Sequence, residues 1–252
     1  MSPAGIEYIA CTTTVGDLRK YLSDNEVAAV TISSYCATDI NSLCKLAWMS
    51  NFRPDLPLAI RLLKYGQEAG IIKPLTLRLL EFWKFLKSCE KQQGDVGEIA
   101  SNIVSEFDHV ESLIGHEVAI SIRDKAAAHN TIKDAKRLCR EIEDETPVFS
   151  LYSANRYNST YTLGDEAFIT GVLRSLEDEL HTQSDLRDCW YEWTRHMSDI
   201  ATVFHSRLYR RLVTDRMPDI QCAKTEVDFP DHFVFETSAG NCLPVHVSGM
   251  RR

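Results

Sequence analysis

The stretch VGEIASNIVSEFDHVESLIGHEVAISIRDKAAAHN, Val96 to Asn130, decides the fold. Val96, Ile99, Ala100, Ile103, Val104, Phe107, Val110, Leu113, Ile114, Val118 and Ile122 recur three and four apart, the period of one apolar stripe on an α-helix. Gly94 and Gly97 mark a loop ahead of it, so the spacing predicts one long helix over residues 97–128. A second, more polar helix is expected from Thr131 to Asp144.

On the N-terminal side the pattern is one of helices with breaks. Val15 to Ser23 and Asp39 to Met49 read as short helices, the second with Asp39 as its N-cap. Arg53-Pro54 and Leu56-Pro57 punctuate the chain. Leu58 to Glu68 and Leu75 to Cys89 then form an antiparallel helical hairpin, with Gly70 as the stop and Pro74 as the restart. Val27 to Ser33 is β-branched enough for a strand yet has helical neighbours, and both states stay open. The aromatics Trp48, Phe82, Trp83 and Phe85 are assigned to the core rather than to a base-stacking platform.

On the C-terminal side, Thr146 to Leu163 is the longest loop and Gly164-Asp165 opens the next helix. Helices follow over Ala167 to Glu179 and Asp185 to Thr214, closed by Pro218. His232 to Thr237 and Cys242 to Val247 flank Ser238-Ala239-Gly240-Asn241 as a β-hairpin. The expected fold is therefore mainly α, a helical bundle with a short C-terminal β-like tail. It divides into an N-terminal helical segment (1–93), a helical core (94–216) and the tail (217–252).

Composition limits function. The chain has 252 residues, 44% hydrophobic and 25% charged, which is ordinary for a globular protein. No run reaches the roughly 18 apolar residues of a membrane span, and MSPAGIEYIACTTT lacks a basic opening and an apolar core, so a cytoplasmic location without a membrane is expected. The eight cysteines are dispersed with no CxxC pair and are expected to be reduced thiols. The Asn158-Ser159-Thr160 sequon is then unused. A net charge of −8 argues against a basic shell, so nucleic acid would have to be held locally. Two basic clusters are available, Lys133, Lys136, Arg137 and Arg140, and Arg207, Arg210, Arg211 and Arg216; solvated helix faces are the plainer account of both.

Arg123-Asp124-Lys125-Ala126-Ala127-Ala128-His129 carries the chemistry: an Arg, a polar neighbour, and a His after five intervening positions. A neutral imidazole can take the proton of an RNA 2′-hydroxyl or return one to the leaving 5′-oxygen. A guanidinium offers a forked, permanently charged clamp to the phosphate.

The pattern resembles the signature of the HEPN-domain superfamily, in the form found in bacterial toxin and defence systems. The resemblance covers Val96 to Glu143. It implies a HEPN-like helical bundle acting as a metal-independent endoribonuclease, without cofactor, on RNA. Two copies of the motif would face each other in a homodimer, with an antitoxin or defence protein as a further partner. Arg123, His129 and Asp124 would be catalytic, and Lys125, Asn130 and Lys133 would bind substrate.

On an ideal helix, residues six apart sit about 120° apart around the axis at about 100° per residue, so Arg123 and His129 cannot share a face. Either the helix ends before His129, through a cap at Asn130-Thr131, or the site is shared between two chains. Other accounts stay open: Arg123 in a surface ion pair with His129 capping a helix, or a HEPN-like fold that binds without cutting.

The pairs Glu106/His109 and Asp178/His181 also resemble the ExxH ligands of di-iron carboxylate bundles, with Glu68, Glu81 or Glu192 to complete them. His196 and His205 lie on opposed faces, and His109 and His116 alone do not close a metal site. Cys222, His232, Cys242 and His246 match no finger spacing. No GxGxxG, P-loop or GxSxG occurs.

Overall fold

The computed structural model describes residues 5–49, 58–127, 132–144, 148–151, 160–178, 180–218, 220–228, 235–237 and 240–242. The chain is mainly helical: α1 (Val15–Tyr21), α2 (Asp24–Met49), α3 (Leu58–Cys89), α4 (Asp95–Glu106), α5 (Ile114–Ile122), α6 (Ile132–Leu138), α7 (Thr162–Asp165), α8 (Gly171–Arg174) and α9 (Gln183–Tyr209). Three antiparallel strand pairs accompany them: β1 (Gly5–Thr12) with β4 (Gln221–Asp228), β2 (Ser150–Leu151) with β3 (Thr160–Tyr161), and β5 (Phe235–Thr237) with β6 (Gly240–Cys242). No helix is long and apolar enough to cross a membrane among the described residues.

α2, α3, α5 and α9 form the bundle, and one buried cluster runs from Leu22 to Met217. Trp190, Trp193, Phe82 and Phe204 are its largest fully covered side chains. Trp190 Nε1 donates to Thr76 Oγ1 at 3.0 Å, which satisfies a buried indole and fixes α9 against α3. α9 begins with a reciprocal capping box between Thr182 and Asp185, and a π-helical turn, Arg210–Thr214, extends it.

Several expected boundaries are corrected. The hairpin over residues 58–89 is one continuous helix, α3, with Pro74 inside it. Ala69, Ile72, Leu75 and Leu79 are buried on both sides of Pro74. At roughly 1.5–3 kcal/mol per buried side chain, that burial outweighs the roughly 3 kcal/mol that an interior proline costs. Asp39 is not a cap: α2 runs through it, and its carboxylate pairs with Arg78 at 2.7 Å. Val27 to Ser33 is helical, inside α2.

The long helix expected over residues 97–128 is interrupted. α4 ends at Glu106 with Phe107 as its C-cap, a 3-10 turn spans Asp108–Ser112, and α5 starts after Leu113. The apolar stripe survives the interruption, since Ile103, Val110, Val118 and Ile122 are fully covered. Trp83 Nε1 donates to Glu111 Oε1 at 2.7 Å, anchoring the turn to α3. Past it, Gly115 lies against α9, where a Cβ would sit 2.6 Å from the Cβ of Trp193.

Farther along, α6 passes into a 3-10 turn at Cys139–Glu141. The helix expected from Ala167 begins earlier, at Thr162, and passes through a π-turn, Glu166–Thr170, into α8. A tail hairpin forms with a shifted second strand, Gly240–Cys242, so that Gly240 and Asn241, expected in the turn, pair with Thr237 and Glu236; 243–252 lie outside the described residues. The β1–β4 pairing was not expected, and with it the all-reduced cysteine assignment fails at Cys11, which is disulfide-bonded. The register sets Cys222 opposite Cys11, and opposed Cα atoms of about 4.5–5.5 Å fall within the span of a disulfide. Cys36, Cys44, Cys89, Cys139 and Cys189 are free thiols.

Candidate functional site

Arg123, Asp124 and Lys125 stand on a π-helical turn, Arg123–Ala127, that continues directly from α5. Val118, Ala119 and Ile122 bury one face of α5 and fix its direction. A π-turn bonds i to i+5, so it adds a residue to the turn and shifts the phase of everything beyond it; such turns are rare and concentrate at functional sites. The 120° separation of Arg123 and His129 assumed an unbroken α-helix, and that assumption fails from Arg123 onward. His129 and Asn130 lie outside the described residues.

The Arg123 guanidinium donates from Nε to Asp124 Oδ1 at 2.6 Å, and its side chain is 26% exposed. That bond, with a smaller attraction from Glu81 of α3, raises the affinity of the guanidinium for its proton. Among the described residues, Asp124 is the sole hydrogen-bond partner of Arg123, and it is met through Nε.

Lys125 Nζ donates to Ser175 Oγ at 3.2 Å, and Ser175 in turn donates to Val172 O at 2.7 Å. These bonds tie the first π-turn to the end of α8. The second π-turn, Glu166–Thr170, packs against the first, so two unusual helical turns lie side by side.

Lys133, Lys136 and Arg140 are exposed on and just after α6. α6 is held close to α8, where a Cβ on Gly171 would meet Leu138 O at 2.7 Å. Arg174 reaches back from α8 to Glu143 at 2.9 Å and to Glu141 O at 3.3 Å, while its buried Nε has no hydrogen-bond partner among the described residues. Ser175 and Arg174 were not anticipated, because each enters from another element, Ser175 from 50 positions away.

Three of the four arginines of the second basic cluster are committed to ion pairs. Arg207 forks onto Glu106 at 2.7 and 3.0 Å, Arg211 meets Asp95 at 3.3 Å, and Arg216 joins Asp95 to Glu26. The hydrogen bond from Arg216 holds the Asp95 carboxyl below its ordinary range, and Arg207 does the same for Glu106. These arginines fasten α2, α4 and the end of α9 together.

The carboxylate-histidine pairs do not converge. Glu106 is occupied by Arg207, and Asp178 accepts from the backbone of Leu180 and His181 in a turn. Glu81 pairs with Lys84, and Glu192 sits 3.7 Å from His196. His205 bonds to Ser33 at 3.1 Å, and burial lowers its pKa. His116 stacks on Trp193 at 5.8 Å. Among the described residues no group of three His, Cys, Asp or Glu side chains could hold a metal ion. The side chains of Cys222, His232, Cys242 and His246 lie outside the description.

No family model, no curated protein and no solved structure matches this chain.

Proposed function

We propose that the segment from Arg123 to His129 is the catalytic strip of a metal-independent endoribonuclease of HEPN type, acting as a homodimer in a toxin-antitoxin or anti-phage setting. His129 removes the proton of a ribose 2′-hydroxyl, and the oxygen attacks the adjacent phosphorus. The bond to the 5′-oxygen breaks, that oxygen gains a proton, and the products carry a 2′,3′-cyclic phosphate and a 5′-hydroxyl. Arg123 holds the charge building on the phosphoryl oxygens, with Asp124 fixing the plane of its fork. Lys125, Asn130 and Lys133 hold the flanking backbone.

The observation that supports this most is the π-turn at Arg123–Ala127, which carries an arginine whose terminal nitrogens have no partner among the described residues. A second proposal, a non-catalytic HEPN-like interaction protein that partners a toxin or serves as a defence scaffold, draws on a different fact. Both cations of the motif already hold partners within the chain, Arg123 on Asp124 and Lys125 on Ser175.

Incubation of the purified protein with mixed cellular RNA in EDTA separates the two. Cutting by wild type, reduced on the order of 100-fold or more by Arg123→Ala and by His129→Ala, is the expected result for the nuclease. No cutting by wild type, or equal cutting by all three, removes the catalytic claim. Activity restored only by iron or manganese would transfer it to the carboxylates.

A further inference from the structure

A cavity of about 440 Å³ opens between α2, α3 and α9, and it shares no residue with the strip around Arg123. Its volume is that of a small-molecule site. Ile72 and Leu75 of α3, with Cys44 and Ala47 of α2, give it an apolar wall.

The opposite wall is a hydroxyl ladder on α9, Thr194, Ser198 and Thr202, one helical turn apart. Each hydroxyl donates back to its own helix: Thr194 to Trp190 O at 2.9 Å, Ser198 to Thr194 O at 2.8 Å and Thr202 to Ser198 O at 3.1 Å. Their protons are committed, so the ladder presents lone pairs. The Cys44 thiol donates to Ser198 Oγ at 3.4 Å and adds no further proton.

Tyr191 hydrogen-bonds to Glu68; burial, then the Glu68 charge, raises its pKa, so the phenol stays protonated and directed at that carboxylate. Glu68 and Asp199 bring two carboxylates to the lining against one guanidinium, Arg195, and one amide, Asn41. The cavity is thus apolar on one side and, on the other, lined by hydroxyl lone pairs; it carries one more carboxylate than guanidinium, with Arg195 and the Asn41 amide as its donors.

We propose that this cavity binds a small organic ammonium ion with an apolar body, an alkyl- or arylalkylamine. The carbon skeleton lies along Ile72 and Leu75, and the ammonium group donates to Glu68 and to the hydroxyl ladder. A carboxylate of the same shape would meet the lone pairs of the ladder and two like charges against the single guanidinium of Arg195, and a neutral alcohol would bring one donor where an ammonium brings three.

Isothermal titration of the full-length protein with phenethylammonium, tryptammonium and hexylammonium tests this, with 2-phenylethanol and 3-phenylpropionate as uncharged and anionic counterparts. Saturable one-site binding of at least one ammonium probe is expected, with the alcohol weaker by about tenfold or more and the carboxylate not bound. Glu68→Gln should weaken the ammonium by about tenfold, and Ser198→Phe, which fills the cavity, should abolish binding while the apo protein keeps its circular dichroism spectrum. Should Ser198→Phe fail to fold, the comparison of probes and Glu68→Gln decide. Binding of no ammonium probe, equal binding of the three phenyl compounds, or unchanged affinity in both variants overturns the proposal.

Discussion

α3 and the α4–α5 run form a contrast. α3 carries Gly70 and Pro74, the strongest breakers in the sequence, and is continuous from Leu58 to Cys89. The run from Asp95 to Ile122 carries no proline and an unbroken apolar stripe, yet it is interrupted at Phe107–Leu113 and passes into a π-turn at Arg123. In both, the neighbouring helix decides. α3 is kept continuous across its breakers by buried Ile72 and Leu75, by Lys73 on Asp165 at 2.8 Å, and by the Trp190–Thr76 bond. The α4–α5 run is bent by the Trp83–Glu111 bond and by the close seat of Gly115 on α9. Local propensity is worth about 1–3 kcal/mol even at its strongest residues, and a few buried contacts exceed it.

The largest effect is expected at Gly115. A leucine there collides with the backbone of Cys189 and the Cβ of Trp193, so α5 must leave α9. Gly115→Leu should cost about 3 kcal/mol or more in urea unfolding; a cost under about 1 kcal/mol would mean that α5 does not rest on α9. Pro74→Ala restores a backbone donor inside α3 at an exposed position. It should stabilise the protein by up to roughly 3 kcal/mol, and a loss of stability would show that α3 depends on its proline. Glu111→Ala leaves the largely covered Trp83 indole without its acceptor and should cost about 1–2 kcal/mol, read from the shift of the denaturation midpoint. Smallest is Gly70→Ala, where nothing lies within 4 Å of the added Cβ; a gain of about 0.5–1 kcal/mol is expected.

The same contrast marks what was legible in the sequence. Apolar periodicity found the buried residues of α4 and α5, because burial follows the stripe whether or not the backbone is interrupted. The start of α9 was legible to within two residues, because its capping chemistry is local to Thr182 and Asp185. The bend at Phe107–Leu113 was not, since its causes, Trp83 and Cys189, lie on other helices. The β1–β4 ribbon escaped for the same reason: Cys11 and Cys222 are opposed only once the whole bundle has brought the chain back. At the site, Arg123, Asp124 and Lys125 were legible as a motif. The π-turn beneath them and the anchor Ser175 were not, because no residue type encodes a π-turn and Ser175 comes from another element.

Whether the π-turn serves chemistry is tested most directly on a defined substrate. An RNA oligonucleotide cut by the wild-type protein in EDTA is compared with the same oligonucleotide carrying a single 2′-deoxyribose at the cleaved position, and the products are weighed by mass spectrometry. Attack by the 2′-hydroxyl predicts a 2′,3′-cyclic phosphate on the RNA product and no cleavage at the deoxy site. Cleavage at the deoxy site, or a product ending in a 3′-hydroxyl, would contradict the account.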